Sequence, residues 1–334
     1  MTPSSDRPLR IVVMGTGPFA VPMFRGLLST GHAVVAVVTR PARSAPGRRP
    51  PANPMRDAAS AAGLPILDPA DVNAPDSVAA LEALAPDLLV VCDYGQILAP
   101  TVLATAPYGG VNLHGSLLPR HRGAAPVQWA ILAGDPVTGV SVIHMTPALD
   151  AGHVLVSRET AVGARETAGQ LEARLADLGS GAVAEAIDRL LAAGPGARPG
   201  VPQDPDLVTR APRLAKADGL VDWSQPADRI ERMCRALDPW PRTTTFLHLA
   251  GRPPLRLVLD DVAVAADAAA GGRDAVVAHA EAGTIVAADA EGIVVACGQG
   301  TRLVVRRLVP EGKRTMSAAD FLRGHPLFAG ARLG

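Results

Sequence analysis

Gly110-Val111-Asn112-Leu113-His114-Gly115-Ser116-Leu117-Leu118-Pro119 reads as a short apolar strand that runs into a turn. Side chains alternate along a strand with a period of two, so Asn112 and His114 share one face and Leu113 takes the other. An amide and an imidazole side by side at a strand's end suit chemistry at a carbonyl carbon. Asn can donate to a developing oxyanion, and His can carry a proton near neutral pH.

The same pattern repeats on either side of this strand. Leu9–Gly15, Ala33–Thr39, Asp87–Tyr94 and Val140–Met145 are apolar runs rich in Val, Ile and Leu, as buried parallel strands are. Helical stretches separate them at Val21–Thr30, Pro54–Ala62, Ser77–Leu84 and Ala125–Ala133. Thr167–Ala193 follows as a long amphipathic helix broken near Gly179 to Gly181. Strands alternating with helices imply an α/β, Rossmann-like, mostly parallel sheet with ligands at the strands' carboxyl ends. This first domain spans 1–193, and the Pro- and Gly-rich segment 194–212 reads as a linker. Residues 213–334 change character. After one helix at Pro226–Ala236 come short runs at Thr243–Leu249, Leu255–Val264, Thr284–Ala288, Gly292–Ala296 and Arg302–Leu308, the pattern of a small β-barrel of the OB type.

The chain has 334 residues, 48% hydrophobic, with formal net charge zero. Zero net charge speaks against indiscriminate nucleic-acid binding but leaves room for local basic patches. No apolar run reaches the ~18–20 residues of a membrane span, and Met1–Arg10 lacks a signal-like apolar stretch. Cys92, Cys234 and Cys297 are too scattered for a disulfide framework or a zinc knuckle, so a reducing cytoplasm is expected. No metal is expected either, because His114, His121, His144 and His153 show no ligand spacing.

Two further elements bear on chemistry. Leu149-Asp150-Ala151-Gly152 follows the strand Val140–Met145, and its carboxylate lies beside His114 if the two strands are neighbours. It would then orient the imidazole and raise its basicity, as the acid of a triad does. Gly15-Thr-Gly-Pro-Phe-Ala20 fits the dinucleotide pattern G-x-G-x-x-A. However, the second strand ends in Thr39-Arg40 with no acid for a ribose, and Pro18 removes an amide at the helix start. A tight turn beside another ligand fits better than NAD. Basic residues cluster twice. Arg40, Arg43, Arg48 and Arg49 crowd one broken loop without an acidic partner, the footprint of an arm that orders on a phosphate backbone. Arg302, Arg306, Lys313 and Arg314 surround a strand and turn of the second domain.

Asn112-Leu-His-Gly-Ser-Leu-Leu-Pro-Arg-His-Arg-Gly-Ala-Ala-Pro-Val-Gln128, with Ala133-Gly-Asp and the later Leu149-Asp-Ala-Gly152, closely resembles the folate-dependent formyltransferases. Val221-Asp-Trp-Ser224, Pro239-Trp-Pro241 and Gly312-Lys-Arg-Thr-Met-Ser-Ala318 are similar to segments of the members that act on tRNA. The resemblance implies formyl transfer from 10-formyltetrahydrofolate to the α-amino group of methionyl initiator tRNA, for translation initiation. It makes Asn112, protonated His114 and Asp150 the catalytic set, without metal or covalent intermediate. It also implies a pterin site along Tyr94, Gly95, Gln96, Ile97 and Leu98 and along Ser116, Leu117, Leu118 and Pro119. The two basic clusters would hold tRNA, the second within a tRNA-binding barrel. Asp93, His121, His153 and Gly17-Pro18 depart from the family's usual pattern. A sugar-nucleotide amine formyltransferase with the same first domain is the rival reading. It needs no arginine arm. A non-catalytic RNA-binding protein would have no need of Asn112, His114 and Asp150 together.

Overall fold

The computed structural model describes residues 7–41, 52–249, 251–265, 280–327 and 331–334. The chain forms two compact units, one of residues 1–127, 136–162 and 170–212, the other of 128–135, 163–169 and 213–334.

The first unit is built on seven strands: β1 (Arg10–Met14), β2 (Ala33–Val38), β3 (Ile66–Leu67), β4 (Leu88–Val91), β5 (Gly110–His114), β7 (Val137–His144) and β8 (Val154–Ala161). A two-residue β6 (Arg122–Gly123) lies outside this sheet. The sheet order is β3-β2-β1-β4-β5-β7-β8, and β1 to β5 pair in parallel. Helices α1 (Ala20–Leu28), α2 (Pro54–Ala61), α3 (Pro75–Ala83), α4 (Pro100–Leu103) and α5 (Pro126–Ala133) fall between strands. Val12, Met14, Leu89 and Val91 on one face pack with Leu81 of α3 and Val102 of α4. The neighbouring residues Ile11, Val13, Leu88 and Val90 are equally buried. Burial on both faces explains why these strands read as unbroken apolar runs.

Two expectations are corrected. The Val140–Met145 run belongs to β7, which pairs antiparallel with β5, not parallel. An apolar run says that a strand is buried but not which way it points. The long helix α6 (Ala168–Ala193) is continuous through Gly179 and Gly181. A Cβ at Gly179 would sit 2.5 Å from Leu113 Cδ2, so this glycine is a notch that admits the strand's side chain. The breaker reading failed because packing, not helix propensity, selects glycine there.

Segment 194–212 is held firmly to the first unit. Val154 and Val201 exchange two backbone hydrogen bonds of 2.8 and 2.9 Å, and β9 (Arg210–Ala211) pairs with β6.

In the second unit, α7 (Ala227–Ala236) precedes β10 (Thr243–His248), β11 (Leu255–Val264), β12 (Ile285–Asp289), β13 (Gly292–Ala296), β14 (Arg302–Pro310), β15 (Met316–Ser317) and β16 (Arg332–Leu333). The order β12-β13-β14-β11-β10-β16 is antiparallel throughout, with β15 beside β14. A bridge from Thr284 to Arg332 brings the two ends together into a nearly closed barrel. Trp223 fills its core with Leu257, Val295, Leu303 and Phe321, and satisfies its indole N–H on Thr245 Oγ1 at 3.0 Å.

Candidate active site

The turn after β1 is tight, as expected. A Cβ at Gly15 would lie 2.8 Å from the Cys92 carbonyl oxygen and 2.9 Å from Ala20 Cβ. Two of the unusual residues prove to be one feature, because a Cβ at Gly17 would overlap the Asp93 carboxylate. Asp93 takes a left-handed backbone, φ 48°. Glu172 on α6 is held above the usual carboxylate range by its burial and by Asp93.

Because β7 is antiparallel, it leaves the β5 pair beside Val111, at the far end from His114. The loop of residues 145–153 must therefore double back to carry Asp150 to the imidazole. It does so with Asp150 itself left-handed, φ 50°, a conformation that a non-glycine residue keeps only when its surroundings hold it. Asp150 Oδ2 lies 3.8 Å from His114 Nδ1 and accepts a hydrogen bond of 2.9 Å from the Gly123 N–H.

His114 Nε2 lies 2.9 Å from the carbonyl oxygen of His121. A carbonyl can only accept, so Nε2 carries a proton and Nδ1 is the nitrogen that titrates. This differs from a triad, in which acid and substrate use opposite nitrogens. Here Asp150 and any reacting group meet the same one. Burial pulls the imidazole below its ordinary value, against the Asp150 carboxylate and the His121 carbonyl, which favour the charged ring. Asn112 is half-buried on the same face of β5, and its side-chain amide has no hydrogen-bond partner among the described residues.

The expected pterin segments turn much of their side-chain surface inward. Tyr94 and Leu98 are buried in the core. Gln96 ties the main chain at Val72 N (2.9 Å) and Pro69 O (3.2 Å). Ser116 Oγ donates to Arg120 O at 2.6 Å, Ser141 Oγ donates to Ser116 O at 2.8 Å, and the Leu118 N–H donates to Ser141 Oγ at 3.0 Å. Leu117 rests on Gly139. Leu118 is buried, and Pro119 is half-buried behind a cis peptide. What these segments offer a ligand is main chain, left-handed Gly95, and Ile97, a residue 70% exposed.

Of the first basic cluster, Arg43, Arg48 and Arg49 lie outside the described residues. Arg40 is half-buried, with its guanidinium lying over Gly95. On β14, Arg302 and Arg306 share one face while the intervening Leu303 and Val305 are buried, and Lys313 and Arg314 are exposed in the following turn. Sequence reasoning did not single out Gln203, which hydrogen-bonds the Asp150 carbonyl, or Arg122, whose guanidinium Gln203 holds. Arg122 stood in a quoted motif, whereas Gln203 carries no signal in a breaker-rich segment. Among the described residues no group of three His, Cys, Asp or Glu side chains could hold a metal ion. No helix there is long and apolar enough to cross a membrane.

The chain matches the formyl transferase family over residues 9–187 and the formyl transferase C-terminal domain over 213–326. It is 46% identical to a methionyl-tRNA formyltransferase of Rhodopirellula baltica, over 97% of this chain and 96% of that protein. A methionyl-tRNA formyltransferase of Xanthomonas campestris pv. campestris is 44% identical over 94% and 97%. Among solved structures, an N-formyltransferase from Helicobacter canadensis in complex with folinic acid and dTDP-3-aminofucose has the same fold. Its TM-score is 0.61 at 11% identity, covering 89% of this chain and 98% of that one. HypX from Aquifex aeolicus in complex with tetrahydrofolic acid reaches a TM-score of 0.59 at 16% identity, covering 95% and 47%. On the length and level of the first two likenesses, this chain belongs to the methionyl-tRNA formyltransferases of the formyl transferase family.

Proposed function

We propose that Asn112, His114 and Asp150 transfer a formyl group from 10-formyltetrahydrofolate to the α-amine of methionyl initiator tRNA. One observation carries this reading: an unpartnered amide, a single titratable nitrogen and a carboxylate converge on one end of β5. The family's relatives support the substrate, and the exposed main chain around Gly95 and Ile97 suits a flat heterocycle with donor and acceptor edges.

The neutral α-amine attacks the formyl carbon and a carbon–nitrogen bond forms. The Asn112 amide donates to the oxygen as it gains charge. His114 starts uncharged because of its burial, so Nδ1 takes the proton that the attacking nitrogen releases. The resulting imidazolium faces Asp150, which favours it, and stands beside the oxyanion. As the old carbon–nitrogen bond breaks, Nδ1 returns the proton to the leaving nitrogen of the folate. Formamide and tetrahydrofolate result, and His114 is neutral again. Exposed Arg306, Lys313 and Arg314 and half-buried Arg302 supply basic groups for phosphate, and Arg40, Arg43, Arg48 and Arg49 are the expected arm.

The test is incubation with 10-formyltetrahydrofolate and, separately, methionyl initiator tRNA or an amino-sugar nucleotide. Formylation of the tRNA alone is expected. Formylation of the sugar alone would overturn the reading. Replacing Arg302, Arg306, Lys313 and Arg314 with Ala should raise the KM for tRNA and flatten its salt dependence.

A further inference from the structure

The segment leading out of the first unit grips the candidate site at successive points. The Arg122 N–H donates to Thr209 O at 2.9 Å, and the His121 N–H donates to Thr209 Oγ1 at 2.8 Å. Gly123, whose N–H binds the Asp150 carboxylate, is pressed so closely on the Ala211 carbonyl that a Cβ there would overlap it. Most of these are main-chain contacts that any residue could make. Gln203 differs.

Gln203 Nε2 donates to Asp150 O and to Gly152 O, each at 2.8 Å. Its Oε1 accepts from Arg122 Nε at 3.0 Å and Arg122 Nη2 at 2.6 Å. A glutamine amide has two hydrogens and two lone pairs, and all four are used here. Two of them hold the backbone on either side of Ala151, in a loop that keeps Asp150 left-handed. The other two fix a guanidinium one residue from Gly123, which holds the Asp150 carboxylate from the other side.

We infer that Gln203 is a positioning residue that fixes the carboxylate of Asp150 against His114 Nδ1, coupling the 194–212 segment to the reacting groups. This rests on the formyl-transfer reading only for its consequence in turnover. Its geometric content can be tested without substrate. Asp150 favours the charged His114 ring, so a carboxylate that drifts away leaves the ring harder to protonate.

The experiment follows the ring protons of His114 by NMR as pH is lowered, assigned by their loss in His114→Ala. In Gln203→Leu the titration midpoint should fall toward that of Asp150→Asn, and the double variant should fall no further. Gln203→Asn keeps the amide but is one methylene too short, and should move the midpoint the same way by less. It serves if the Leu variant does not fold. In formyl transfer, Gln203→Leu should lower kcat by about 10- to 100-fold with KM little changed, and should cost nothing more in the Asp150→Asn background. An unshifted midpoint in a folded Gln203 variant, or a kcat loss that multiplies with that of Asp150→Asn, would overturn the inference. A wild-type protein that formylates no tRNA would overturn the functional reading instead, and the midpoints would still decide the role of Gln203.

Discussion

His114 and His144 occupy opposite ends of the β5–β7 pair and make the same anchoring contact. Each ring is buried, and each places Nε2 2.9 Å from a backbone carbonyl, that of His121 for His114 and of Pro199 for His144. Burial lowers the basicity of both. They differ in what faces Nδ1. For His114 it is the Asp150 carboxylate. His144 Nδ1 is buried with no hydrogen-bond partner among the described residues, and the nearby charges are Arg198 and His153, which oppose protonation further. Burial and a carbonyl anchor make a fixed imidazole. A carboxylate at the remaining nitrogen, which His144 lacks, favours the charged ring and so helps it to take up a proton.

The strongest way to break this contrast is to remove the pair. His114→Ala and Asp150→Ala should each lower kcat by on the order of 10³- to 10⁴-fold, and together little more, because groups that act as one unit are non-additive. Losses that multiply in the double variant would make the two independent. Asn112→Ala should cost about 10²- to 10³-fold in kcat with little change in KM. A rise in KM for the folate at unchanged kcat would make Asn112 a binding group. The contrast sharpens with pH. If uncharged His114 is the starting form, kcat should fall about tenfold per unit once the solution is more acidic than the depressed His114 value. A rate that is flat or rising on acidification would remove that role.

The smallest effect belongs to His144. His144→Leu should leave kcat nearly unchanged and alter stability at neutral pH by about 1 kcal/mol, through the lost bond to Pro199. Both rings sit below the ordinary imidazole value of about 6.5, so between their folded values and 6.5 the unfolded chain binds the extra protons. Stability therefore falls as the solution is acidified through that window. Without His144 the fall should be shallower in denaturant titrations at several pH values. A His144→Leu protein as inactive as His114→Ala would collapse the distinction between the two rings.

How far the sequence revealed this arrangement depended on whether local geometry or packing decided each residue. Asn112 and His114 were legible because a strand's alternation is set by the chain itself. Asp150 was legible as a carboxylate after a neighbouring strand. The reversal of β7 was not, since a buried run carries no direction, and so the doubling back of its loop was hidden too. The stretch Tyr94 to Leu98 was expected to meet a ligand with its main chain; what the motif did not reveal is that the side chains of Tyr94, Gln96 and Leu98 build the core and brace a loop. Gln203 was invisible. One glutamine among Pro and Gly resembles a solvated linker residue, and only the folded contacts show that all of its bonding capacity is used.

The notch in α6 bears on how this chain could be made more robust. Replacing helical Gly with Ala ordinarily gains about 1 kcal/mol, and besides Gly169 in its first turn α6 carries two interior glycines two residues apart. At Gly181 an added methyl would meet nothing within 4 Å, and a thermal melt of Gly181→Ala should move upward. At Gly179 the same methyl would strike Leu113, and overpacking of this kind costs about 1–3 kcal/mol. Leu113 is also the residue between Asn112 and His114. A rule that treats all helix glycines alike would therefore trade a gain at one position for a displaced reaction centre at the other.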